Sequence, residues 1–195
     1  MKKKVFLTRT FPDFAINELK KHYDIEIHRG PFPIPKKKLL KKIKNKDGLI
    51  CYPYDIIDKQ VISTGNKLKT ISTFSVGYDH IDTEFAKKRK ITIGYTPNIL
   101  TIATADLTIS LMLDLLRRVS EGDRLIRDGK WNIVFGADTY VGEEVEGKIL
   151  GILGLGRIGL AVAKRAQVFG IKVIYHNRTR LDPKKAKTFR TSYVT

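Results

Sequence analysis

Gly154-Leu155-Gly156-Arg157-Ile158-Gly159 spaces its glycines as G-x-G-x-x-G, and the chemistry this spacing serves is the binding of a dinucleotide pyrophosphate. Gly154 permits a tight turn off a strand, Gly156 lets backbone approach the phosphates, and Gly159 lets a helix pack close to the strands. The orphan amides and the dipole of the helix start then meet negative charge. About twenty residues on, a cofactor lacking the 2′-phosphate is usually held by an Asp or Glu. This chain has Asn177-Arg178-Thr179-Arg180 there. No carboxylate repels a 2′-phosphate, and two guanidiniums can pair with one. NADP(H) is therefore expected, with NAD(H) the second choice. The competing reading makes Arg178 and Arg180 solvated loop charges.

These residues need a βαβ unit to position them. Ile149, Leu150, Ile152 and Leu153 form an apolar run expected as a strand buried on both faces. An amphipathic helix is expected over 160–169, ended by Gly170, and a second strand over 172–176. Upstream, strands are expected at 4–9, 24–28, 48–51, 69–74 and 91–93. Helices fall at 12–21, at 35–46 and in a stretch running to about Thr64. Such alternation argues for a parallel, doubly wound sheet, so 1–97 reads as an α/β domain of its own. A long helix over 99–119 carries Ile102, Leu107, Leu111, Leu115 and Leu116. The following segment, 120–147, is mixed in charge and bears Trp131, Phe135 and Tyr140. It reads as a partner-contacting arm, hence a homodimer.

Composition excludes several classes. No apolar run approaches the roughly twenty residues of a membrane span, and the basic start MKKKVFLTRT lacks the apolar core of a signal peptide. One cysteine, Cys51, allows no internal disulfide framework or cysteine-built zinc site and fits a reducing cytoplasm. The net charge of +17 comes largely from Lys36, Lys37, Lys38, Lys41, Lys42, Lys44 and Lys46. That run lacks interleaved aromatics and falls on an expected surface helix, so a solvated face is favoured over a nucleic-acid patch.

Several strings together resemble the D-isomer-specific 2-hydroxyacid dehydrogenases of the glyoxylate/hydroxypyruvate reductase type. They are Ser75-Val76-Gly77-Tyr78-Asp79-His80-Ile81-Asp82, Tyr95-Thr96-Pro97-Asn98-Ile99-Leu100, Ala103-Thr104-Ala105-Asp106, Arg117-Arg118, Gly129-Lys130-Trp131 and the glycine fingerprint with its His176-to-Arg180 strand end. The resemblance implies a flavodoxin-like N-terminal substrate domain over 1–97, completed by a C-terminal segment. It implies the first part of an NAD(P)-binding Rossmann domain over 98–195, with a linking helix at 98–119 and a dimerisation arm at 120–147. It implies that the amides of Val76 and Gly77 face the substrate carboxylate, as adjacent N–H groups on a turn can. Thr104 would contact the cofactor, Leu155, Gly156, Arg157 and Ile158 the pyrophosphate, and Asn177, Arg178 and Thr179 the adenosine phosphate. Tyr52 and Pro53 would line the substrate pocket, where the family often has aliphatic residues.

The family's catalytic arginine, glutamate and histidine would lie beyond Thr195, so the chain is expected to be C-terminally truncated and to hold no catalytic residue or metal site. The stretch 184–195 lacks the pattern of a next helix and strand, and His22, His28, His80 and His176 read as surface or strand-end residues. The function implied is NADPH-dependent reduction of a small 2-oxo acid. The alternatives are a non-catalytic dinucleotide-binding or dimerising module and, behind it, a nucleic-acid-associated corepressor-like protein.

Overall fold

The computed structural model describes residues 1–131 and 139–195, and these divide into two compact units, Met1–Ile99 and Leu100–Thr195. The first unit runs β1 (Lys3–Leu7), α1 (Asp13–His22), β2 (Tyr23–Ile27), α2 (Lys36–Ile43), β3 (Gly48–Cys51), α3 (Lys59–Thr64), β4 (Thr70–Thr73), α4 (Thr83–Lys88) and β5 (Thr92–Gly94). Its strands form one sheet in the order β2-β1-β3-β4-β5, with every pair parallel. That is the flavodoxin-like order.

Period-two alternation builds a core on each face. Val5 and Leu7 turn toward Ile16 of α1. Phe6, Leu49, Cys51 and Ile71 turn the other way, toward Leu39, Ile43, Val61, Ile62 and Ala86 of α2, α3 and α4. Each fully buried aliphatic side chain contributes about 1.5–3 kcal/mol. Helix α4 was not expected from the sequence. Its sign is Asp82, whose carboxylate accepts the Phe85 N–H at 2.9 Å, as Asp58 accepts that of Val61 at 3.0 Å for α3. On α2, Leu39 and Ile43 face inward. Lys36 pairs with Asp58, and Lys42 and Lys46 share Glu26, which they hold below its ordinary carboxylate value.

The second unit runs α5 (Thr101–Arg117), α6 (Val119–Arg127), β6 (Ile149–Leu153), α7 (Arg157–Val168), β7 (Lys172–His176), α8 (Pro183–Thr188) and β8 (Thr191–Tyr193). Its parallel sheet has the order β6-β7-β8. Ala105 and Ile109 of α5 pack with Val162, Ala163 and Ala166 of α7 and with Val173 and Tyr175.

Three expectations need correction here, and the exposure of the α5 leucines adds a finding beyond them. The long helix ends at Arg117, because Arg118 takes the left-handed conformation, φ 55° and ψ 33°. Local bonds hold that corner: the Asp114 carboxylate accepts from Ser120 N and Oγ at 2.6 and 2.7 Å, and the Arg118 guanidinium grips Glu121. The apolar series on α5 does not face the core. Ile102, Leu107, Leu111 and Leu115 are all exposed, Leu115 at 79%, because α7 approaches through the small residues instead. Strand β6 is not buried on both faces: Leu150 and Ile152 pack inward, while Ile149 and Leu153 are 64% and 85% exposed. The stretch after Asp182 does fold. Asp182 caps α8 by accepting from Lys184 and Lys185 N, and Tyr193 of β8 meets Tyr175 edge-on at 5.5 Å.

Of the aromatics in 120–147, Phe135 lies outside the described residues. Trp131 packs on Tyr140 at 5.1 Å, and the Tyr140 hydroxyl donates to the Arg118 carbonyl. Glu143 N donates to Leu116 O at 2.7 Å, so residues 140–143 are fastened to the α5–α6 corner.

Candidate functional site

In the second unit the glycine turn joins β6 to α7. Gly154 has φ +93°, which only glycine adopts without strain. A methyl on Gly159 would lie 2.6 Å from Gly154 O, so α7 starts as close to β6 as backbone allows. At Gly156 an added methyl meets nothing within 4 Å. Gly156 is the N-cap of α7 and offers no side-chain acceptor. The first-turn amides of Ile158 and Gly159 donate to no protein acceptor among the described residues. Helix-start donors without an acceptor are what an anion needs.

The other wall comes from the end of β7. The Asn177 Oδ1 accepts the Leu155 N–H at 2.6 Å, so Asn177 braces the turn. An open cleft of about 660 Å³ lies between, lined by Leu153, Gly154 and Gly156 on one side and Asn177, Arg178 and Thr179 on the other. Arg178 and Thr179 are exposed there. Arg180 is not part of it, because its guanidinium sits 4.1 Å over the Tyr193 ring. His176 Nδ1 donates to Val194 O at 2.9 Å. Thr104 stays on α5, where its carbonyl accepts from Thr108 Oγ1 at 2.7 Å, and the structure does not bring it to this cleft. Arg157 opens α7.

In the first unit Val76 and Gly77 follow β4. Among the described residues their amides have no protein acceptor, while the loop around them is tightly tied. Ser75 Oγ donates to Gly77 O at 2.5 Å, so it can only accept from Thr73 Oγ1, 2.8 Å away. Thr73 Oγ1 must then accept from His80 Nε2 at 2.9 Å, which assigns His80 the Nε2–H tautomer. Burial pushes the His80 imidazole down, against the pull of Asp55 and Asp79. The Asp79 carboxylate flanks Gly77, 3.3 Å from where a methyl would sit. Sequence reasoning missed this relay. It had placed His80 at a surface or strand end, and it also missed that His28 is buried, with Nε2 3.0 Å from Pro31 O.

Tyr52 and Pro53 follow β3. The buried Asp55 carboxylate accepts from Tyr52 N at 2.9 Å and from Thr8 Oγ1 at 2.5 Å, fixing the turn. The half-buried Tyr52 ring donates its hydroxyl to Thr10 O at 3.1 Å, and burial raises that hydroxyl above its ordinary value. Pro53 is exposed. An apolar hollow of about 310 Å³ beside Val5, Leu19 and Ile50 lies over the α1 face of the sheet, away from these loops. Among the described residues no group of His, Cys, Asp and Glu could hold a metal ion, and no helix is long and apolar enough to cross a membrane.

The family model of the D-isomer specific 2-hydroxyacid dehydrogenase catalytic domain matches residues 5–192. The chain is 42% identical over its whole length to the glyoxylate reductase of Thermococcus litoralis, of which it covers 59%. It is 43% identical over 93% of its length to that of Pyrococcus horikoshii, of which it covers 55%. Among solved structures, the TT0316 protein of Thermus thermophilus superposes with a TM-score of 0.84 at 42% identity, covering 98% of this chain and 60% of that one. The chain thus spans little more than half the length of the curated relatives it matches.

Proposed function

The chain belongs to the D-isomer specific 2-hydroxyacid dehydrogenase family, and from that premise we propose that it serves an oxidoreductase reducing a 2-oxo acid such as glyoxylate or hydroxypyruvate with NADPH. Its own contribution in this reading is binding and orientation. The amides of Ile158 and Gly159 hold the pyrophosphate, and Arg178 pairs with the 2′-phosphate through charge-assisted bonds. The amides of Val76 and Gly77 take the substrate carboxylate. When bound, NADPH supplies the hydride. The proton donor and the arginine that polarises the carbonyl are, on the resemblance, residues that match nothing in these 195.

The observation that carries the cofactor choice is the end of β7. Asn177 gives its carbonyl oxygen to the turn, no carboxylate lines the cleft among the described residues, and Arg178 does. Calorimetric titration with NADPH and with NADH tests this. Saturable binding tighter for NADPH by about tenfold or more is expected from one charge-assisted pair; equal affinities, or none, would count against it. The exposed row Leu107, Leu111 and Leu115 on α5 supports a homodimer. A single buried cysteine fits the cytoplasm. With Lys36, Lys42 and Lys46 already paired to acids, the lysine helix offers less to nucleic acid than its composition implies.

A further inference from the structure

The order of the first sheet turns back between β1 and β3, and in open parallel sheets ligands settle outside the strand C-termini at such a switch point. In this chain that place is aromatic. Phe11 follows β1, Tyr52 follows β3 and Phe74 follows β4. Their rings meet at 5.2 Å for Phe11–Tyr52, 5.3 Å for Phe11–Phe74 and 5.6 Å for Tyr52–Phe74. Phe32 extends the group, 5.7 Å from Tyr52, with the Arg9 guanidinium 4.4 Å from its ring centre. Core formation accounts for Phe11, which packs against the cluster of Val5, Leu7 and Ile16, but not for the other two. Tyr52 and Phe74 belong to neither buried cluster of this sheet, and Phe74 keeps 56% of its surface exposed.

Position relative to charge says what these rings face. Phe74 precedes Val76 by two residues, a reach of about 7 Å along extended chain. A carboxylate held by the Val76 and Gly77 amides therefore has an aromatic surface within the span of one small molecule. That surface is set before any ligand arrives: Tyr52 is pinned through its hydroxyl to Thr10 and through its amide to Asp55. Little ordering remains to oppose binding.

We propose that this surface receives the substrate's side chain, and that the preferred 2-oxo acid carries an aryl group on C3, phenylpyruvate being the simplest probe. The proposal rests on the reading of Val76 and Gly77 as the carboxylate seat. Glyoxylate has no side chain and leaves the rings bare, whereas an aryl group covers them and adds edge-to-face or offset-stacked contacts.

Saturation-transfer NMR titrations of the full chain with phenylpyruvate, glyoxylate and phenylacetone separate the possibilities, the last having the ring and carbonyl without the carboxylate. Phenylpyruvate is expected to bind about tenfold or more tightly than glyoxylate, from apolar burial and ring contacts. Tyr52→Leu and Phe74→Leu, each checked for folding by circular dichroism, are expected to cut that ratio to about threefold or less as the ring pairing is lost. Glyoxylate binding as tightly as phenylpyruvate overturns the proposal and leaves the carboxylate seat standing. Phenylacetone matching phenylpyruvate, or no binding by any of the three, overturns the seat and the proposal with it.

Discussion

The Asn177 side-chain oxygen lies 2.6 Å from the Leu155 backbone nitrogen, joining the end of β7 to the glycine turn across 22 residues of sequence. Leu155 is 2% exposed, so water cannot replace this acceptor. Asn177→Ala is expected to lower stability by about 1–3 kcal/mol, the cost of an unpaired buried N–H. Urea unfolding reads it. Asn177→Asp keeps an acceptor and should recover part of the loss, while placing a charge unfavourable to NADPH.

Arg178 and Arg180 are expected to behave differently although they are near neighbours. Arg178→Asp should weaken NADPH binding by about 10- to 100-fold, from loss of a charge-assisted pair and added repulsion, and shift preference toward NADH. Arg180→Ala should leave both nucleotides unchanged and cost about 0.5–1 kcal/mol for the contact with Tyr193. Parallel titrations and denaturation curves separate the two.

Two glycines of the fingerprint should fail for different reasons. Gly159→Ala drives a methyl against the Gly154 carbonyl and to 3.2 Å from Ile152 Cγ2, an overpacking expected to cost about 1–3 kcal/mol. Gly156→Ala meets nothing and sits at φ −88°, so the urea midpoint should hold. Its methyl would instead occupy the approach to the pyrophosphate, and nucleotide binding should fall.

Cys51 is fully buried, and that burial, chiefly, pushes its thiol from an ordinary 9.0 up to about 12. Across that window the unfolded chain releases a proton that the folded chain keeps. Stability from this group is therefore whole below pH 9 and falls above it, by at most about 1.4 kcal/mol per pH unit. Urea midpoints measured upward from pH 8 should fall more steeply for the native sequence than for Cys51→Val. A thiol reagent should label Cys51 only once the chain is unfolded.

The exposed leucines of α5 give a further expectation. Sedimentation should report a dimer mass, and Leu111→Lys with Leu115→Lys should return the monomer without lowering the helix signal. A monomer in the native sequence would dismiss the proposed interface.

What could be read in advance was what is local. Glycine spacing, strand alternation and the Asn-Arg-Thr-Arg strand end are properties of a few neighbouring residues, and each resemblance string is itself short and contiguous. What escaped depended on partners distant in the chain or on single backbone angles. The period of the α5 leucines marks an apolar face, yet whether it meets the core depends on α7 approaching at Ala105 and Ile109. Arg118 turns left-handed because Asp114, Ser120 and Glu121 hold it so. Asn177 looked like a ligand contact and serves first as a brace, and no spacing rule would link Thr73, Ser75 and His80. The short α8 announced itself only through Asp182-Pro183, a cap followed by a residue suited to a first helical turn.

The order β6-β7-β8 repeats the order of synthesis, which bears on how the second unit assembles. Strands β7 and β8, once translated, each find a pairing partner already made immediately upstream, so neither has to be threaded between two earlier strands. Contacts of this kind close short loops at small entropic cost. The first sheet differs at one place, because β1 has to keep an edge free for β3 after β2 has taken the other. A pause during translation near Gly30 would leave that edge of β1 open, whereas a pause near Gly170 would leave β6 waiting for β7, the strand that follows at once.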